Sequence, residues 1–216
     1  MLRVSYDQIE TMDENKRLQW AAKYKVGVDY EIIDGLCFAI SSLFIFKFRT
    51  ENWHIFMDLG FIDAVKNFVS SIDTMSSSLQ TAYFESYYNE ESLHGNLNCL
   101  SSIQHMNLSA EYLNSNCKAV YARPRFPVLY NNDQNKLSIS FYQLLIYKSP
   151  VVAMIQHGAG NDGGHAVVFG FRRTSQRFFL FDPNYGLYII SPWNIIEFMR
   201  KYFRSYSATW CCLIDC

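Results

Sequence analysis

Three residues of this 216-residue chain have the types and settings that thiol chemistry needs: Cys37, His165 and Asp182. Cys37 stands in Asp34-Gly35-Leu36-Cys37-Phe38-Ala39-Ile40, and His165 opens Gly163-Gly164-His165-Ala166-Val167-Val168-Phe169. Asp182 closes an apolar run in Phe181-Asp182-Pro183-Asn184-Tyr185-Gly186. A thiol is a weak nucleophile near neutrality and its thiolate a strong one; a helix N-terminus and a nearby imidazolium both lower a cysteine pKa. A carboxylate accepting a hydrogen bond from His165 Nδ1–H would fix the tautomer and stabilise the imidazolium. Each residue alone also has a plain structural reading. A buried cysteine is a common small hydrophobe, a histidine at a strand start can bond a carbonyl, and an aspartate before proline can cap a turn.

The elements around them decide whether the three can meet. Asp34 is a good N-cap, which places Gly35, Leu36 and Cys37 in the first turn of a helix running to about Phe48. Only Ser41, Ser42 and Lys47 interrupt its apolar surface, so it is expected to be buried nearly all round. After Pro150 the period shortens, and Val151–Gln156, Gly164–Arg172, Arg177–Phe181, Leu187–Ile190 and Ser207–Leu213 read as strands. Pro192 opens a helix to Phe203. A hairpin through Arg173-Thr174-Ser175-Gln176 sets His165 and Asp182 diagonally across neighbouring strands, within side-chain reach.

Upstream the pattern is helical. Asp7–Lys25, two pieces separated near Gly60 (Trp53–Leu59 and Phe61–Val69), Ser76–Phe84 and Ser109–Asn114 are candidates. A further helix starts at Ser138 or Ser140 and ends near Tyr147, after the rigid extended Arg123–Pro127. Helices first and a mainly antiparallel sheet afterwards indicate an α+β fold. The expectation is one domain over residues 1–216, helical to about 148 and sheet from about 149.

Composition bounds the rest. Half the residues are apolar and 17% aromatic, which excludes general disorder. A net charge of −1 gives no electrostatic case for nucleic acid. Six cysteines (Cys37, Cys99, Cys117, Cys211, Cys212, Cys216) without paired spacings read as reduced thiols. The run Gly35–Phe46 is too short to span a bilayer, and no signal peptide is evident. There is no Cys-x-x-Cys, His-Glu-x-x-His or phosphate loop, so no cofactor or metal is expected. His54, His94, His105 and His157 lack the setting of His165 and are read as surface or structural residues.

Gly-Leu-Cys-Phe-Ala-Ile-Ser, Gly-Gly-His-Ala-Val-Val and Phe-Phe-Leu-Phe-Asp-Pro-Asn-Tyr-Gly resemble the blocks of the YopT/AvrPphB-type cysteine proteases, a family of bacterial effectors. The resemblance implies a papain-like fold in which a central helix bearing Cys37 packs on a sheet bearing His165 and Asp182. It implies a Cys37 nucleophile, a His165 general base and acid, and an orienting Asp182. It further implies secretion by a bacterium, action in host cytosol, and a host protein substrate such as a small GTPase or a kinase. One departure stands out: papain-like sites usually carry an amide side chain shortly before the cysteine, and Asp29-Tyr30-Glu31-Ile32-Ile33-Asp34 has none. The Cys37 N–H would be one oxyanion donor; either the second comes from Gln8, Gln19 or a backbone group, or the acyl chemistry is slow. The acids Asp29, Glu31 and Asp34 suit a helix N-terminus, or would attract a basic peptide. The same three residues would equally serve acyl transfer, deamidation or transglutamination, and a chain without the oxyanion amide could be an inactive interaction module.

Overall fold

The computed structural model describes residues 2–5, 37–72, 129–148, 150–159 and 165–215. Its strands are β1 (Leu2–Ser5), β2 (Leu129–Tyr130), β3 (Val152–Gly158), β4 (His165–Arg172), β5 (Arg177–Asp182), β6 (Gly186–Ile190) and β7 (Trp210–Asp215). They form one sheet in the order β1-β6-β5-β4-β3-β7-β2, every neighbouring pair antiparallel. The helices are α1 (Cys37–Thr50), α2 (Asp58–Ser71), α3 (Gln134–Lys148) and α4 (Ile195–Ser205), with short 3-10 turns at Trp53–Ile55 and Pro192–Asn194.

Successive strand residues serve opposite faces, and here both faces are covered. Val152, Met154, Ala166, Val168, Phe179 and Phe181 share one core with α1 and α2. Ala153, Ile155, Val167, Phe169, Leu180 and Leu213 share the other with α3 and α4. That explains why the strands read as continuous apolar runs: β3 is buried at every position. The first core is aromatic, with Phe44 of α1 stacked on Phe181 at 4.6 Å and edge-on to Trp53 and Phe68. Arg172, fully buried, ties this layer to the sheet: it donates to Asp58 Oδ1 at 2.5 Å and to the Phe56 carbonyl, and lies over the Phe61 ring.

The expected strands are found and a helix runs from Cys37, its expected Asp34 cap and Gly35-Leu36 lying outside the described residues; the shifts have local causes. Gly60 does not interrupt a helix; it lies inside α2, and the break falls at Phe56–Met57, both extended. α3 begins at Gln134 rather than at Ser138 or Ser140, because Asp133 accepts the Asn135 N–H at 2.9 Å as an N-cap. β7 begins at Trp210 rather than at Ser207, because a Schellman turn ends α4 first. Ser207 takes a left-handed φ of 49°, with Ser207 N–H to the Arg204 carbonyl and Ala208 N–H to that of Phe203. Two short strands, β1 and β2, come from the part expected to be helical; four and two residues are too few to carry a period. The candidate helices at Asp7–Lys25, Ser76–Phe84 and Ser109–Asn114, and the Arg123–Pro127 passage, lie outside the described residues.

Candidate active site

The site lies at the end of the sheet where β4 starts and β5 stops. The hairpin runs through Arg173–Gln176 with Arg172 opposite Arg177 and Val168 opposite Phe181, Gln176 taking a left-handed φ of 51°. That register carries Asp182 diagonally past His165, and His165 Nε2 lies 2.8 Å from Asp182 Oδ1. The expectation that Nδ1 would face the carboxylate is therefore corrected: Nε2 does. A hydrogen bond joins Cys37 to the same imidazole. One imidazole thus serves both the thiol and the carboxylate.

Cys37 is the first residue of α1, half-buried and not in a disulfide. The Ala166 backbone also hydrogen-bonds the sulfur. Burial would raise the thiol pKa, but the His165 hydrogen bond and charge, with the Ala166 N–H, outweigh it and bring it below the usual thiol range. Burial would likewise depress His165, yet its hydrogen bonds to Asp182 and Cys37 push it up to about 10. Both directions favour a thiolate–imidazolium pair. Burial would also raise Asp182, but His165 and its other donors hold it below the ordinary carboxylate range.

Asp182 is fully buried and saturated. Oδ1 accepts the Asn184 N–H at 2.7 Å as well as His165, and Oδ2 accepts the hydroxyls of Tyr202 at 2.7 Å and Tyr206 at 2.8 Å. Turn cap and histidine partner, two readings weighed as alternatives from the sequence, are the same carboxylate. The turn is closed by the Tyr185 N–H to the Asp182 carbonyl, with Gly186 opposite Asp182 at φ 102°, where a side chain would be strained.

Tyr202 and Tyr206 were not evident as site residues. They come from the end of α4, where the Schellman turn fixes Tyr206 one position before Ser207. Tyr206 stacks on the His165 ring at 4.9 Å and 17°, and its hydroxyl also accepts from Asn184 Nδ2. The Tyr202 hydroxyl, donating to Asp182, sits 3.2 Å from His157 Nε2, which must then carry the proton. His157 is fully buried and held neutral, its pKa pushed down to about 3 by burial and the charge of His165. This agrees with its reading as a structural histidine; His54 is half-buried in the middle of the Trp53–Ile55 turn, and His94 and His105 lie outside the described residues. A spacing signal did exist: Tyr202 in the last turn of α4 and Tyr206 at its C-cap are four residues apart, one helical turn.

No protein-family model and no curated protein matches the chain. A solved structure does: the avirulence protein AvrPphB of Pseudomonas, with a TM-score of 0.61 over 84% of this chain and 91% of that one. The two share a fold. At 13% identity the likeness to AvrPphB speaks for the mixed helix and antiparallel-sheet architecture and not for the chemistry. Gln8, Gln19, Asp29, Glu31, Asp34 and Gly163-Gly164 lie outside the described residues. Among the described residues no group of three His, Cys, Asp or Glu is placed to hold a metal, and no helix is long and apolar enough to cross a membrane. A cavity of about 380 Å³ between α1 and α2, lined by Lys47, Glu51, Asn67 and Phe68, lies at the other end of α1 from Cys37.

Proposed function

We propose that this chain is a thiol hydrolase, a cysteine protease of the YopT type, in which Cys37 attacks a peptide carbonyl. The sulfur forms the acyl bond while His165, protonated in the resting ion pair, passes its proton to the leaving amine. His165 then takes a proton from the water that hydrolyses the thioester, and Asp182 holds the imidazole throughout. The observation that carries this reading is one imidazole bonded both to Asp182, at 2.8 Å, and to a thiol at the start of a helix. The sequence blocks around the three residues and the fold shared with a Pseudomonas avirulence protein support the further reading. It is of a secreted bacterial effector, with a papain-like single domain, that cuts a host protein.

The test is alkylation of the full chain by iodoacetamide across pH. Cys37 is expected to react at mildly acidic pH, where an ordinary thiol is inert, and His165→Ala should move that reactivity to alkaline pH. A parent chain reacting only at alkaline pH would overturn the reading. Intact mass of candidate host proteins, small GTPases and kinases first, then reports the acceptor: two fragments mean hydrolysis, whereas an added group or a one-dalton gain means acyl transfer or deamidation.

A further inference from the structure

The ladder between β4 and β5 pairs Val168 with Phe181 and goes no further toward the site. Two residues on, Ala166 lies opposite Gln156 of β3 but has no partner in β5, and α1 reaches its backbone instead. Its N–H serves the Cys37 sulfur, and its carbonyl accepts the Ser41 hydroxyl at 3.0 Å. Cys37 and Ser41 are four residues apart, hence stacked on one face of α1. Ser41 and Ala166 are both buried, where a polar contact is strengthened by the lack of competing water. One peptide unit on each side of Ala166 is thus gripped by successive turns of the helix, and Ala166 is the residue next to His165.

We propose that Ser41 is a positioning residue: by holding the Ala166 carbonyl one helical turn from Cys37, it sets the height of the sulfur against the His165 strand. Apolar packing between α1 and the sheet fixes the helix as a layer but allows sliding along its axis. A directional bond to a single carbonyl does not. The sulfur–imidazole contact depends on that coordinate, because Cys37 has only one rotatable bond beyond its Cα with which to correct a displacement.

This rests on the thiol chemistry proposed above, and the same iodoacetamide profile separates the two. In Ser41→Ala, reactivity at pH 5.5 relative to pH 9.5 is expected to fall about tenfold, the effect of moving the thiol by one pKa unit. Ser138→Ala removes another buried hydroxyl, one that bonds the Gln134 carbonyl inside α3, and should leave the ratio unchanged. Ser41→Thr against Ser41→Val compares a hydroxyl with a methyl at equal volume; the ratio should be higher in the threonine variant. This pair decides the matter should Ser41→Ala fail to fold. A parent with acid reactivity and a Ser41→Ala ratio equal to it, or equal ratios in the threonine and valine variants, would overturn the role of Ser41 alone. A parent without acid reactivity overturns the thiol reading itself.

Discussion

Asp182 sets the electrostatics of the residue scale. In Asp182→Asn the imidazolium loses its counter-charge, so the His165 pKa is expected to drop from about 10 toward its ordinary range, and iodoacetamide reactivity at acid pH should shrink with it. The amide also turns one of its two ends into a donor facing existing donors, which should cost about 1–3 kcal/mol of stability in urea unfolding. Tyr206→Phe keeps the ring stacked on His165 and removes one hydroxyl from Asp182. Turnover of an identified substrate should fall only about fivefold, as for one ordinary hydrogen bond of about 1 kcal/mol. Cys37, His165 and Asp182 could be singled out in the sequence because each lies beside a Gly, a Pro or a residue suited to an N-cap. For the two tyrosines the sequence offered only their spacing of one helical turn, and spacing carries no mark of where a hydroxyl ends.

At the scale of elements, the seating of α1 and the close approach of strands matter most. Phe44→Ala removes a ring that touches Phe181, Phe68 and Trp53 in the first core, and should cost about 3–5 kcal/mol by denaturant midpoint at unchanged m. Gly170 is the tighter case: a Cβ there would lie 2.5 Å from the Phe179 ring and 2.6 Å from the Val151 carbonyl oxygen. Gly170→Ala is therefore expected to lose about 3 kcal/mol, because a backbone atom cannot step aside. Strand register was legible because the Arg173–Gln176 turn fixes it. Helix starts were less so: Asp133 and Ser138 are both plausible caps in sequence, and only the backbone decides which side chain meets a free N–H.

For the molecule as a whole, the ion pair shapes stability against pH. His165, raised from 6.5 to about 10, contributes fully below pH 6.5 and loses its contribution as pH rises to about 10. Cys37, lowered from 9.0, contributes fully above pH 9.0 and loses its contribution as pH falls through its folded value. Between those two reference values, wherever Cys37 is ionised in the folded chain, the slopes oppose, since folding there merely moves one proton from sulfur to nitrogen. Thermal unfolding midpoints should be level there and fall on both sides. The acid side is steepened by His157, which an unfolded chain protonates below 6.5 and the folded one only near 3. His157→Gln should make that acid limb shallower, while leaving the alkaline limb in place. The two-faced sheet was legible only in part: unbroken apolar strands signal burial on both sides, but which helix covers which face depends on chain reversals that no local pattern records.

A carboxylate has room for about four hydrogen bonds, and every one of them in Asp182 is already spoken for. It has no vacancy with which to greet a lysine, an arginine or a cation arriving at the site. Any taste this protein has for charged sequences must therefore be written elsewhere on its surface.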